Sequence, residues 1–170
     1  RLFGFYVAEG HGAERAVLFA NRNAAVRRSI EEALQSLGLP YQERPSTDLQ
    51  VGSKALTELL KKECGRRASS KRLPSFWPQL SDKHLGEFLQ AYFDGDGTVA
   101  RANAVTATTA SEKLASDLAY ALSRFGIWAR IGSVEKQATN SAHEGGTYYR
   151  VTVSGQSDLR RFAEHIGFSI

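Results

Sequence analysis

Leu2-Phe3-Gly4-Phe5-Tyr6-Val7-Ala8-Glu9-Gly10 and Leu89-Gln90-Ala91-Tyr92-Phe93-Asp94-Gly95-Asp96-Gly97 are two versions of one stretch. Each is largely apolar, carries small residues four apart (Gly4 and Ala8, Ala91 and Gly95), and ends in an acid followed by glycine. The acids are offset by 87 residues, and an offset of 88 then relates Val17 to Val105, Ile30 to Leu118, Leu34 to Leu122 and Leu37-Gly38-Leu39 to Phe125-Gly126-Ile127. Further on, an offset of 103 relates Leu56 and Leu59 to Leu159 and Phe162. The chain therefore reads as an internal duplication. Its second copy is longer by fifteen residues, most of them assigned to the polar stretch 137–146.

Each copy spells helix, two strands, helix, two strands, helix, an α+β plan. In the first, residues 2–9 form an apolar helix and 17–20 a strand. Residues 23–37 place apolar side chains at 26, 30, 33, 34 and 37, a helical face that Gly38 ends. Residues 41–44 and 49–51 then form a hairpin about the turn 45–48, and Ser53 caps a helix through Leu56, Leu59 and Leu60. In the second copy, 82–94 is helix and 98–109 a hairpin turning near 102–103. Residues 111–125 are an amphipathic helix capped by Ser111, 127–136 and 148–154 are strands, and 157–165 is the last helix. The division is thus 1–64, a basic and proline-containing connection 65–81, and 82–170.

A helix with Gly4 and Ala8 on one side lacks bulk there, and Ala91 and Gly95 offer the same surface. The two helices are expected to pack along these residues, with their C-terminal ends side by side. Glu9 and Asp96 then fall close together, two like charges each at the negative end of a helix dipole. A hard divalent cation held by carboxylate oxygens and water relieves that arrangement, and magnesium so bound usually also takes phosphate oxygens. Gly10 and Gly97 are expected to let the chain leave each helix in a left-handed conformation. Two copies in matched register argue for a shared role rather than two unrelated glycine-capped core helices.

The composition agrees with an intracellular, nucleic-acid-binding protein without requiring one. At 170 residues the chain holds one compact domain or two small halves sharing a core. A single cysteine, Cys64, excludes a disulfide scaffold and a multi-thiolate metal site. No apolar run is long enough to span a bilayer, and no leader segment opens the chain. The formal charge is +4, with a pI near 9.3, which suits a polyanionic partner.

The duplicated motif and its αββαββα surroundings resemble the LAGLIDADG (dodecapeptide) homing endonucleases, over nearly the whole chain. The resemblance implies two pseudo-symmetric αββαββα repeats, with motif helices between the halves and two antiparallel sheets forming a saddle that binds double-stranded DNA in the major groove. It implies a monomer that hydrolyses phosphodiester bonds in both strands with two or more magnesium ions, manganese serving as substitute. Carried over, Glu9 and Asp96 are the metal-binding carboxylates, with Ala8 and Gly95 beside them in the metal group. The connection Ser69-Ser70-Lys71-Arg72-Leu73-Pro74-Ser75-Phe76 resembles the lysine-containing block of intein-associated members, making Lys71 the catalytic-pocket base or electrostatic stabiliser. Glu9 departs from the usual aspartate and Val7 from a common acid that Asp94 retains. Starting on the motif helix itself, the chain reads as a piece of a larger intein, although no splicing chemistry is visible.

Strand alternation selects the residues facing DNA. Tyr149, Val151 and Val153 suit a helix-packed face, leaving Tyr148, Arg150 and Thr152 outward with Arg130 and Lys136. Gln42 and Arg44 share one parity in the first hairpin, and Arg101 joins the set from the second. Arginine and glutamine read guanine and adenine edges, whereas Arg66, Arg67 and Arg72 are expected at phosphates. His11 is expected to be a polar strand residue without a chemical role, and Trp77 and Trp128 to anchor packing. Two alternatives remain open at this stage: a catalytically inactive DNA-binding regulator of the same fold, and an RNA-binding splicing cofactor (maturase).

Overall fold

Helices α1 (Leu2–Glu9) and α4 (Asp82–Asp96) pack against each other through their small residues. A side chain at Gly4 would strike the Phe88 carbonyl oxygen and come within 2.9 Å of the Ala91 methyl, so only glycine allows this approach. Phe5, Tyr6, Leu89, Ala91 and Tyr92, on the same two helices, are fully buried and lie at the centre of the core. The computed structural model describes residues 1–45, 48–100, 103–136 and 146–169.

Each motif helix leads directly into a four-stranded antiparallel sheet. The first has β1 (Gly10–Gly12), β2 (Val17–Phe19), β3 (Gln42–Glu43) and β4 (Leu49–Val51), in the order β1-β2-β4-β3. The second has β5 (Gly97–Ala100), β6 (Ala104–Thr109), β7 (Ala129–Lys136) and β8 (Gly146–Ser154), in the equivalent order β5-β6-β8-β7. Helices α2 (Ala24–Ser36) and α3 (Lys54–Cys64) belong to the first repeat, and α5 (Glu112–Ser123) and α6 (Gln156–His165) to the second. This is an α+β fold of two αββαββα repeats.

One face of each sheet is apolar. Val17, Phe19, Leu49 and Val51 join Val26, Ile30, Leu34 and Leu60 in the core, and Val105, Ala107, Val151 and Val153 join Leu114, Leu118, Leu122 and Phe162. Ser53 and Ser111 cap their helices as expected, and Asn23 and Ser81 do the same: each side chain accepts a backbone N–H of the first turn. Gly38, at φ +63°, closes α2 as expected. Among the described residues no helix is long and apolar enough to cross a membrane.

The structure corrects several expectations. Leu37 lies past the end of α2 and is exposed, because the helix stops one residue before it. Trp128 is 72% exposed rather than a packing anchor, whereas Trp77 packs against the core as expected. The duplication's last offset is 102, not 103. Ser53 and Gly155 both precede the third helix of their repeat, Leu60 and Phe162 are both buried, and Gly65 and Gly167 both follow with positive φ. Leu59, the expected partner of Phe162, is exposed. One residue along a helix is about 100° of rotation, which exchanges the outer face for the inner.

Candidate active site

Glu9 and Asp96 are the last residues of α1 and α4, each immediately after a small residue at the helix contact. A side chain on Gly95 would come within 2.7 Å of the Ala8 methyl and 3.0 Å of Glu9 Cγ, so the two helix ends are side by side. The expected left-handed exit is absent: Gly10 has φ −83° and ψ 139°, and Gly97 φ −76° and ψ 147°, both extended. Glycine is needed there for space. A side chain at Gly10 would strike Tyr6, and one at Gly97 the Phe93 carbonyl oxygen, as each chain turns off its helix straight into a strand.

The electrostatics follow from this crowding. Burial raises the Asp96 carboxyl to about 7; the Glu9 charge adds to the rise and the Lys71 ammonium opposes it. Burial also raises the Glu9 carboxyl, against a 2.5 Å hydrogen bond that Asn21 Nδ2 donates to its Oε1. Among the described residues no hydrogen bond ends on the Asp96 carboxylate. Two partly buried, mutually repelling carboxylates are a donor set that fits a hard divalent cation. No cluster of three His, Cys, Asp or Glu groups exists among the described residues, so water and phosphate oxygens would complete its shell.

Lys71 reaches the same place from the connecting segment. It is 6% exposed, and its Nζ donates to the carbonyl oxygens of Tyr6 (2.6 Å) and Gly10 (2.9 Å) while lying 3.5 Å from the centre of the Tyr6 ring. These carbonyls belong to the end of α1, where a cation complements the helix dipole. Burial lowers the ammonium to about 8, with nearby Cys64 and Asp96 pulling the other way. Tyr6 is itself fixed by a hydrogen bond from its hydroxyl to the Gly65 carbonyl.

Glu9, Asp96 and Lys71 line one cavity of about 680 Å³, together with Arg66, Arg67 and His11. Tyr148, Thr108 and Thr109 bound it from the second sheet. His11, a polar strand residue as expected, also lines the cavity. Arg72 does not: its Nη2 donates to the Lys62 carbonyl oxygen at the end of α3.

The solvent faces of the sheets carry Gln42, Arg44, Arg130, Tyr148, Arg150 and Thr152. In the first, the cross-strand row is His11, Leu18, Gln50 and Gln42, with Arg44 Nε donating to Gln50 Oε1. In the second, Thr152 lies between Thr106 and Arg130, Arg150 pairs with Thr108 and Gly132, and Tyr148 pairs with Val134. Arg130 Nη2 also donates to Ser154 Oγ. Lys136 pairs with Gly146 at the end of β7. Arg101 lies outside the described residues, as do Ser46 and Thr47 of the first hairpin turn and most of the polar insertion.

Asn21, Thr108 and Thr109 escaped the sequence reading. The duplication did contain a signal, since the offset of 88 relates Asn21, just past β2, to Thr109, the last residue of β6, two polar residues near the motif acids. Leu18, apolar in the middle of a polar face, also went unnoticed.

A family model described as LAGLIDADG-like domain matches residues 83–167. The chain is 31% identical to the replication factor C small subunit of Methanocaldococcus jannaschii over 98% of its own length and 9% of that protein. It is 34% identical to the DNA polymerase II large subunit of Thermococcus kodakarensis, over 75% of its own length and 8% of that protein. The chain thus spans about a tenth of the length of either relative. Among solved structures, full-length DUF199/WhiA from Thermatoga maritima superposes with a TM-score of 0.68 at 16% identity, covering 99% of this chain and 54% of that one. I-DmoI in complex with DNA and Ca superposes with a TM-score of 0.65 at 13% identity, covering 97% and 86%.

Proposed function

The chain belongs to the LAGLIDADG-like domain family, and from that premise we propose that it is a site-specific homing endonuclease that hydrolyses both strands of double-stranded DNA with divalent metal ions. Its two halves, 1–64 and 82–170 joined by 65–81, act together in a monomer. The observation that carries this reading is the meeting of Glu9 and Asp96, from opposite motif helices, in one cavity with Lys71, Arg66 and Arg67. A module that only bound DNA would have no use for two acids that repel each other and the phosphates.

Glu9 and Asp96, with Ala8 and Gly95 beside them, hold the ions. Magnesium, or manganese in its place, would there supply Lewis-acid chemistry toward water and phosphate oxygens. The chain's own groups do the rest. The Lys71 ammonium, held by the Tyr6 and Gly10 carbonyl oxygens and the face of the Tyr6 ring, places a positive charge at the edge of the cavity, where it stabilises negative charge that develops there. Arg66 and Arg67 bind and orient phosphates. Gln42, Arg44, Arg130, Arg150, Thr152 and Tyr148 contact base edges from the sheet faces.

An intein origin is supported by the relatives. The same segment matches a small fraction of two long proteins with unrelated names, as expected of an inserted element rather than of a part each host needs. Such an enzyme acts inside the cell, on genomic DNA.

The test is cleavage of a randomised duplex library with magnesium, with a chelator, and with Glu9→Gln and Asp96→Asn proteins. Cutting at a preferred sequence that leaves short 3′ overhangs, requires metal and disappears in both variants is the expected result. Sequence-specific binding without any cutting would instead establish a DNA-binding regulator, and preferential RNA binding a splicing cofactor.

A further inference from the structure

The main chain that carries Lys71 is held by the other half of the molecule. Ser111 Oγ, 1% exposed, donates a 2.6 Å hydrogen bond to the Lys71 carbonyl oxygen while accepting the Leu114 N–H as the cap of α5. Two residues along, the Leu73 N–H donates to Asp117 Oδ2, a carboxylate 5% exposed on the same helix. The Ser111 N–H in turn donates to Thr109 Oγ1, and Thr109 lines the cavity. The Lys71 side chain, by contrast, is held entirely by the end of α1. Its ammonium is thus placed by two sets of hydrogen bonds, one from each repeat.

We propose that Ser111 is a positioning residue for the reaction, whose hydroxyl proton fixes the Lys71 backbone so that the ammonium meets the α1 carbonyls at the edge of the cavity. This deepens the endonuclease reading and rests on it. Capping α5 needs only an acceptor at position 111, and any short polar side chain supplies one. Holding Lys71 needs a donor as well. A serine hydroxyl does both, because its one proton and its lone pairs serve different partners. The helix that begins at Ser111 also buries Leu114 and Leu118 against the second sheet, so it gives the linker a rigid anchor.

The two duties separate by substitution. Ser111→Thr keeps cap and donor. Ser111→Asp keeps the cap but has no proton to give. Ser111→Gly loses both side-chain bonds while remaining an accepted cap residue. Each protein is measured for thermal stability, for the side-chain ammonium ¹H–¹⁵N resonance of Lys71, assigned by its loss in Lys71→Met, and for single-turnover cleavage. The expected result is parental behaviour for Ser111→Thr. For Ser111→Asp and Ser111→Gly the Lys71 resonance shifts or is lost by exchange with water, and cleavage slows on the order of tenfold at unchanged DNA affinity, the effect of one lost hydrogen bond. An unchanged resonance in a folded Ser111→Gly protein, or cleavage that falls only in step with melting temperature, overturns the proposal. If the parent does not cut DNA at all, the resonance still reports on Ser111, so failure of the endonuclease reading and failure of the positioning role are distinguished.

Discussion

The methyl of Ala8 stands 2.7 Å from where a β-carbon on Gly95 would lie, so the two motif helices touch with almost nothing between their backbones at the level of the acids. This contact decides how far apart Glu9 and Asp96 stand. Gly95→Ala should therefore destabilise the protein by about 1–3 kcal/mol, the usual cost of an overpacked contact. Adding Ala8→Gly to that variant should recover part of the loss, which denaturant midpoints of the parent, the two single variants and the double variant would reveal.

Glu9→Gln and Asp96→Asn are each expected to lower cleavage by at least about a hundredfold, with dissociation constants for the DNA target within a few-fold of the parent. In chelator, both should melt at or above the parental temperature, because each removes one of two repelling charges. Destabilised variants in chelator would mean that the acids serve folding instead.

The pH dependence of stability follows from Asp96. Its carboxyl is raised to about 7, above the ordinary carboxylate range, so between roughly pH 4 and 7 the folded chain keeps a proton that the unfolded chain has released. Metal-free stability should fall as pH rises through that window, and Asp96→Asn should flatten the fall. Thermal melts in chelator across the window measure this, and added magnesium should restore most of the loss at its upper end.

Lys71 gives the opposite slope at higher pH. With the ammonium lowered to about 8, the unfolded chain binds more protons from there to roughly pH 10.4. Stability of the parent relative to Lys71→Met should rise across that interval. The same variant should cut on the order of a hundredfold more slowly without losing DNA, as expected on removing one donor aimed at developing charge.

Arg66 and Arg67 differ in kind from the sheet residues. Replacing either with glutamine should weaken binding to target and non-target duplexes alike and lower the slope of log affinity against log salt by about one. Arg150→Gln should instead relax preference at one base position. Filter binding at several salt concentrations separates the two behaviours.

The duplicated motif made the architecture legible in the sequence, because the small-residue helix contact and the strand order repeat with it. The pair Glu9 and Asp96 was legible for the same reason. Lys71 was recognised only by resemblance, since nothing in a cationic linker reveals that the backbone of Lys71 and Leu73 is tied to Ser111 and Asp117, 40 and 44 positions away. Arg72 looked equivalent to Arg66 and Arg67 but does not line the cavity, and its Nη2 donates to the Lys62 carbonyl oxygen, a difference made by the path of the backbone. The slip between Leu59 and Leu60 had a different cause: both are leucine, and only burial distinguishes them.

The two sheets are far from equal, with first-repeat strands of two or three residues and second-repeat strands of up to nine. A duplex lying across both would be gripped by a short arm and a long one. Variation in the recognised site would then be forgiven more readily on the short-arm side, and attempts to retarget the protein should begin on the long arm, where more side chains are available to exchange.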